Sequence, residues 1–399
     1  MEPQALRLRV ADPNAARLNG EAMQAMAARR LGDARRLLEE GLRLDSGHMP
    51  LWLNLAAIQR VEGDIGGALN SVDEALKLEP MAFPALLMRG SLLEAKGLPR
   101  EAARAYSVAL SQTPPADRLD EGMRQAVARA NQVHDAFGRE LEAHFEAQLR
   151  PQIGNGSAAS SRRMNQFLDH MTGKRRPYPQ KPTNFYYPGL PAIEFYDRED
   201  FPWLDMVEAA TDDVRAELLA VLGAESGQKE LEPYMQRPDT EPVQQWGELN
   251  KSLKWSAYHF ALMGKLYDEH RRACPKTASL LDQVPFPLVQ NRSPAALFSI
   301  LQPRTHIPAH NGAGNVRLLC HLPLILPGNC RFRVGNSVRE WKMGEAMIFD
   351  DTIEHEAWND SDQVRAVLIF DIWHPMLTAE ERDFISRSLA SVDEFMQDA

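Results

Sequence analysis

The feature that most constrains this fold is a repeat. Shifting the first third of the chain by 34 residues brings Ala34, Ala68 and Ala102 into register, and with them Leu42, Leu76 and Leu110. Gly63 then falls on Gly97, Ala75 on Ala109 and Pro80 on Pro114. Units this short cannot bury an apolar face alone, so they stack on one another and form an α-solenoid. Alanine and glycine let the paired helices approach closely, while leucines and Trp52 fill the seam between neighbours. The first repeat is the loosest, with Gly41 where the others have alanine and Ser46 where they have proline. From Pro115 to about Gln152 the pattern stays helical, with Met123, Val127, Ala130 and Val133 on one face, as in a capping helix.

Over about residues 15 to 115 this array resembles the tetratricopeptide family, in three repeats. The resemblance implies a peptide-binding groove or an assembly surface; the alternative is a stabilising cap for the downstream domain. The helical domain is expected over 15–150. The run GNGSAASSRR and the stretch after it, rich in Pro, Tyr and basic residues, read as a linker over 151–185. A helix is expected near Phe201–Val221, and the Pro-containing GQKELEPYMQRPDTEPVQQ reads as a loop.

From Ala295 the texture changes to short apolar runs broken by Gly, Pro, Asn and Asp. ALFSILQ, VRLLCHLPLIL, CRFRV, EAMIFD, IEHEAW and VRAVLIFDIW are the candidate strands, and TAEERDFISRSLASVDEFM a closing helix. The expected class is α+β and multidomain. A helical solenoid is followed, over 186–399, by a double-stranded β-helix of the jelly-roll or cupin-like kind with flanking helices.

Within those strands His355 follows His310 by 45 residues and Arg365 follows ten later. Such spacing suits a β-helix in which remote strands bring two imidazoles to one metal and a cation to an acidic cosubstrate, which points to a metal-dependent oxygenase. Non-haem iron sites commonly add a carboxylate two residues after the first histidine. Here that position is Gly312, and no acidic residue is near His310 in sequence, so water could complete a two-histidine site. Strand alternation puts Arg317, Leu319 and His321 on one face, and Arg365 with Val367 and Ile369.

The segment from about Trp255 to Leu377 resembles the aspartyl/asparaginyl β-hydroxylase family of Fe(II)- and 2-oxoglutarate-dependent dioxygenases. FSILQPRTHIPAHNG, NVRLLCHLPL, GEAMIFDDTIEHEAWND and FDIWHP carry the likeness. The family lacks the metal carboxylate, which accounts for Gly312. The resemblance implies that His310 and His355 bind iron and that Arg365 pairs with the distal carboxylate of 2-oxoglutarate. Ser299 hydrogen-bonds the same carboxylate, and His321 contacts the cosubstrate near the metal. Leu319 stands where better-known members have arginine, and Arg317 supplies a cation to the substrate or cosubstrate carboxylate. The implied reaction hydroxylates the β-carbon of an aspartyl or asparaginyl residue in a peptide or protein held by the repeat domain, with succinate and CO2 as coproducts.

Other readings of these residues are bland. His355 between Glu354 and Glu356 is an ordinary surface histidine, His321 a core one, and Arg365 a structural partner of Asp371. Asp350 and Asp351 form a polar turn, and Trp358, Trp373 and His374 serve packing. At the level of function the alternatives are a repeat-based scaffold with a non-catalytic β domain, or a hydroxylase of a lipid acyl chain or a free amino acid. A net charge of −10 argues against nucleic acid as partner. Three cysteines without a CxxC pair fit a reducing compartment, and neither MEPQALRLRV nor any apolar run suggests a signal peptide or membrane span. The cytoplasm is the expected location.

Overall fold

The computed structural model describes residues 12–154 and 157–397, and they form two compact units that divide between Lys174 and Arg175. The leader reading of MEPQALRLRV falls outside the described residues, as do Asn155 and Gly156 of the expected linker.

The first unit is built from helix pairs: α1 (Pro13–Ala27) with α2 (Leu31–Leu44), α3 (Met49–Val61) with α4 (Ile65–Leu78), and α5 (Phe83–Ala95) with α6 (Pro99–Leu110). The long α7 (Glu121–Gln148) packs on α6 as the expected cap. Each pair reverses through a residue with positive φ: Gly63 at +82°, Gly97 at +79°, and in the first repeat Arg29 at +58°. A side chain is strained there, which is a physical reason for the looser first repeat. Ala34, Ala68, Ala102, Ala75 and Ala109 are all fully buried at helix crossings, so the register read from the sequence is the packing register. Asp64 and Asp120 cap α4 and α7 by accepting from the amides of Gly67 and Met123, both at 2.8 Å.

The expected linker needs correction. α8 (Ala158–Met171) occupies much of it, capped by Ser157 and seated through the buried Leu168. Small polar residues at its start favour a helix cap as much as a linker. The remainder, from Arg175, belongs to the second unit. The Lys181 amide donates to the Thr352 carbonyl at 2.8 Å and the Thr183 amide to that of Gly312 at 2.9 Å. Prolines and basic residues there mark an extended strap rather than a free tether.

The second unit holds two antiparallel sheets. One has seven strands: β1 (Glu232–Pro233), β2 (Trp255–Leu262), β3 (Lys265–Leu266), β4 (Ala296–Leu301), β6 (Arg317–Ile325), β9 (Met347–Phe349) and β11 (Arg365–Trp373). Their order is β1-β2-β4-β11-β6-β9, with β3 beside β2. The other, in the order β5-β10-β7-β8, comprises β5 (Thr305–His310), β7 (Cys330–Val334), β8 (Ser337–Glu340) and β10 (His355–Asn359).

Alternation along the strands sets the layers. Leu318, Cys320 and Leu322 of β6 and Leu368, Phe370 and Ile372 of β11 face helices. The latter are α9 (Leu204–Ala209) and α10 (Thr211–Gly223), followed by α11 (Glu225–Lys229), α12 (Asp268–Ala273) and α13 (Pro275–Leu281). Inward residues of the same sheet face the space between the sheets, where Trp255 of β2, Leu301 of β4 and Phe349 of β9 meet Ile307, Phe332 and Val334. The C-terminal α14 (Ala379–Gln397) is the closing helix expected from the sequence. Among the described residues no helix is long and apolar enough to cross a membrane.

Candidate functional site

His310 ends β5 and His355 begins β10, and the two are directly opposite each other in the ladder. Their ring centroids lie 4.0 Å apart. Each ring is tied to its own strand by a carbonyl two residues back: His310 Nδ1 to Pro308 at 2.8 Å, and His355 Nδ1 to Ile353 at 3.0 Å. A carbonyl can only accept, so Nδ1 carries the proton in both rings and Nε2 keeps its lone pair. Burial drives both imidazoles well below their ordinary pKa, to about 3 for His310 and about 4 for His355, so both are neutral near pH 7. Two neutral imidazoles with tautomers set by carbonyls are what a divalent metal requires of histidine ligands.

The same cavity is lined by Arg365, Ser299 and His321. Arg365 is 1% exposed, lies 4.7 Å over the Trp341 ring, and has an Nε atom with no hydrogen-bond partner. Burial lowers its pKa from the ordinary guanidinium value to about 10. Among the described residues no carboxylate pairs with it. Asp371, the acid suggested by sequence, instead accepts from Ser293 Oγ and the Ala295 amide. A buried guanidinium without a counter-ion is expensive unless an anion is brought to it. Ser299 stands beside Val367 on the neighbouring strand and accepts from Trp255 Nε1 at 3.0 Å. His321 faces Ile369 across the β6–β11 pair and packs against Phe349 at 4.8 Å and Phe332 at 5.2 Å. Its Nδ1 has no partner, and burial together with the Arg365 charge holds its pKa well below the usual value.

Arg317 stands apart from the lining of this cavity. Its Nη2 donates to Asp351 Oδ2 at 3.1 Å and its Nη1 is 3.9 Å from Asp371 Oδ2. Burial opposes its charge, yet these two carboxylates raise its pKa. Leu319, on the same face of β6, does line the cavity and adds an apolar wall with Ile307 and Ile369.

The turn before β10 divides its two acids. Asp350 fixes the turn by accepting from the Thr352 amide at 2.9 Å and from Gln180 at 2.6 Å. Asp351 is 3% exposed, bears an unpartnered Oδ1, and interacts electrostatically with His310. Gly312 makes room for it: a Cβ built there would lie 2.1 Å from Asp351 Oδ2. In sequence both acids read as turn formers, which hides the role of Asp351. Equally hidden are Trp255, Tyr234 and Trp246, which reach the histidine end of the cavity from β2 and the segment before it. An isolated aromatic in a loop carries no sequence signal of which wall it will join. Among the described residues no group of three or more His, Cys, Asp or Glu side chains could hold a metal.

Residues 208–375 match the family model described as aspartyl/asparaginyl beta-hydroxylase. An ornithine lipid ester-linked acyl 2-hydroxylase of Rhizobium tropici is 35% identical over 196 residues, which is 48% of this chain and 65% of that protein. The aspartyl/asparaginyl beta-hydroxylase of Homo sapiens is 30% identical over 208 residues, 51% of this chain and 25% of that protein. The chain thus spans less than two thirds of the length of either relative. Among solved structures, the TPR domain of Sgt2 from Aspergillus fumigatus is similar at a TM-score of 0.29 and 18% identity, over 33% of this chain and 87% of that one. On the family model over residues 208–375 and the run of curated relatives, the β unit of this chain is similar to the aspartyl/asparaginyl β-hydroxylase family.

Proposed function

We propose that the protein is an Fe(II)- and 2-oxoglutarate-dependent dioxygenase that hydroxylates an aspartyl or asparaginyl β-carbon in a peptide or protein. One observation carries this reading. Two neutral imidazoles, each held through Nδ1 by a carbonyl, share a cavity with a guanidinium that has no carboxylate partner among the described residues. His310 and His355 would hold the iron. Fe(II) with 2-oxoglutarate supplies oxidation of a C–H bond coupled to loss of CO2 from the cosubstrate.

The chain's own residues do the rest. Arg365 offers a planar fork to the distal carboxylate, and the arriving anion relieves its uncompensated charge. Ser299, which accepts from Trp255, and the His321 imidazole line the same cavity and would add hydrogen bonds to the cosubstrate. Ile307, Ile369 and Leu319 keep water from the reacting carbon. Asp351 and Asp371 hold Arg317, which leaves Arg365 as the cation in the cavity wall.

Leu319 favours a second reading of the substrate. A wall of Leu319, Ile307 and Ile369 suits a methylene as well as a polar side chain, and one relative is an acyl hydroxylase. The repeats, with their paired helices, favour a peptide, and the net charge of −10 disfavours nucleic acid. The three cysteines are buried and unpaired, in keeping with a reducing compartment such as the cytoplasm.

The test is an anaerobic titration with Fe(II) and 2-oxoglutarate, followed by the weak visible absorption of the chelate, in the native protein and in His355→Ala. Absorption in the native protein that is absent from the variant supports the reading. A folded native protein that shows neither absorption nor calorimetric iron binding removes it. Incubation with Asn- and Asp-containing peptides and with acyl substrates, read as a mass gain of one oxygen, then separates the substrates.

A further inference from the structure

The two histidines are not supported alike. His355 is backed by side chains of the β-sheets themselves, with Phe349 at 5.5 Å and Phe332 at 6.1 Å between ring centroids. His310 has one sheet contact of this kind, Trp255 of β2 at 6.3 Å, and a closer one from outside the sheets. Trp246, on the excursion between β1 and β2, meets it edge-on at 5.0 Å and 69°. Trp246 in turn stacks on Trp255 at 6.1 Å, and Tyr234 stacks on Trp255 at 3.8 Å.

The excursion is tied at its neck by Asn250, whose Oδ1 accepts from the Arg237 amide at 2.7 Å, and by the Lys251 amide donating to Met235 at 2.8 Å. Beyond that neck it is anchored by two side chains sunk into the core between the sheets, Trp246 at 4% exposed and Leu249 at 2%. Only Trp246 of these two touches a histidine.

A single hydrogen bond from Nδ1 fixes one atom of an imidazole and leaves the ring free to tilt about that point. A second, lateral contact is needed to aim Nε2. From this we infer that Trp246 is a positioning residue of the metal site: its indole edge holds the His310 ring in the orientation that directs Nε2 toward the metal. The inference rests on the two-histidine metal reading above. It adds that half of the site is completed by a segment outside the sheets, so metal affinity is coupled to how that excursion is seated.

Mn(II) alone is the probe, titrated calorimetrically into the full-length protein, with thermal unfolding measured on each sample. Trp246→Leu removes the lateral contact and is expected to weaken Mn(II) binding ten-fold or more, the range seen when groups that orient metal ligands are lost. Trp246→Phe keeps an aromatic edge and is expected to bind within about three-fold of the native protein. Leu249→Ala loosens the same excursion without touching His310; it is expected to lower the unfolding temperature while leaving Mn(II) affinity in place. Equal affinities in the native protein and Trp246→Leu overturn the inference, as does an equal loss in Leu249→Ala, which would assign the effect to anchoring of the segment. A native protein that binds no Mn(II) removes the underlying metal reading, and the inference with it.

Discussion

Replacing Arg365 by methionine is expected to make the protein more stable when cosubstrate is absent. The guanidinium is 1% exposed and has no carboxylate partner among the described residues, and burial lowers its pKa from the ordinary guanidinium value to about 10. At 1.36 kcal/mol for each factor of ten, that difference means a cost of about 3 kcal/mol for keeping the charged form inside the fold. By linkage, the folded state binds its proton more weakly than the unfolded chain, so the cost is fully present below about pH 10 and relieved only above it. Methionine escapes that cost but gives up the contact with Trp341, worth about 1–2 kcal/mol when desolvated. A net gain of about 1–2 kcal/mol remains, or roughly 2–8 °C in unfolding temperature for a unit of this size. Six of the seven tryptophans lie in the second unit, so tryptophan emission during denaturation reports on it. With Mn(II) and 2-oxoglutarate at a hundred times the dissociation constant, the native protein should gain about 2.7 kcal/mol and the variant nothing from the cosubstrate. A variant that loses several kcal/mol without cosubstrate would show that the guanidinium has a partner inside the protein, and the reasoning would fail.

Three further outcomes rest on the same geometry. With His310 and His355 at about 3 and about 4 against an ordinary 6.5, the unfolded chain takes up protons first as pH falls. Stability should therefore decline between about pH 6.5 and 4. Over that range Mn(II) affinity should hold to about pH 5 and fall only near the folded-state values; a decline that begins at 6.5 would mean solvent-exposed ligands. Gly312→Ala should cost about 1–3 kcal/mol in chemical denaturation, because the new methyl group meets the Asp351 carboxylate that Arg317 holds in place. Gly90→Ala should cost a similar amount by driving a methyl group to 2.4 Å from the Tyr106 ring. Its loss should appear in the helical circular dichroism transition with Mn(II) binding unchanged.

The positions that were legible from sequence follow from periodicity, while the roles of the site residues were implied by the family resemblance. Ala68, Ala102 and the φ-positive Gly63 and Gly97 repeat at 34 residues because each unit solves the same packing problem. Arg365, His321 and Ser299 turn toward the cavity because inward and outward residues alternate along β11, β6 and β4. The residues that were not legible depend on contacts between segments with no common period. Asp351 is indistinguishable from Asp350 until Gly312 and Arg317 are placed beside it. Arg317, expected to offer its charge to a ligand, is held by Asp351 and Asp371 from two other segments. The strap from Arg175 looks like a tether in sequence because its hydrogen bonds run to Thr352 and Gly312, far away along the chain.

The sequence by itself therefore determined the two-part construction, the solenoid register, the strand faces and the identity of the two histidines and the buried arginine. Local periodicity and side-chain type are enough for these. Tertiary structure alone decided that His310 and His355 stand directly opposite each other in one ladder, that Arg365 is left without a counter-ion, and that Trp246 packs against the His310 ring. Each of those depends on which distant segments share a wall, and on a burial cost that exists only once the sheets have closed over the charge.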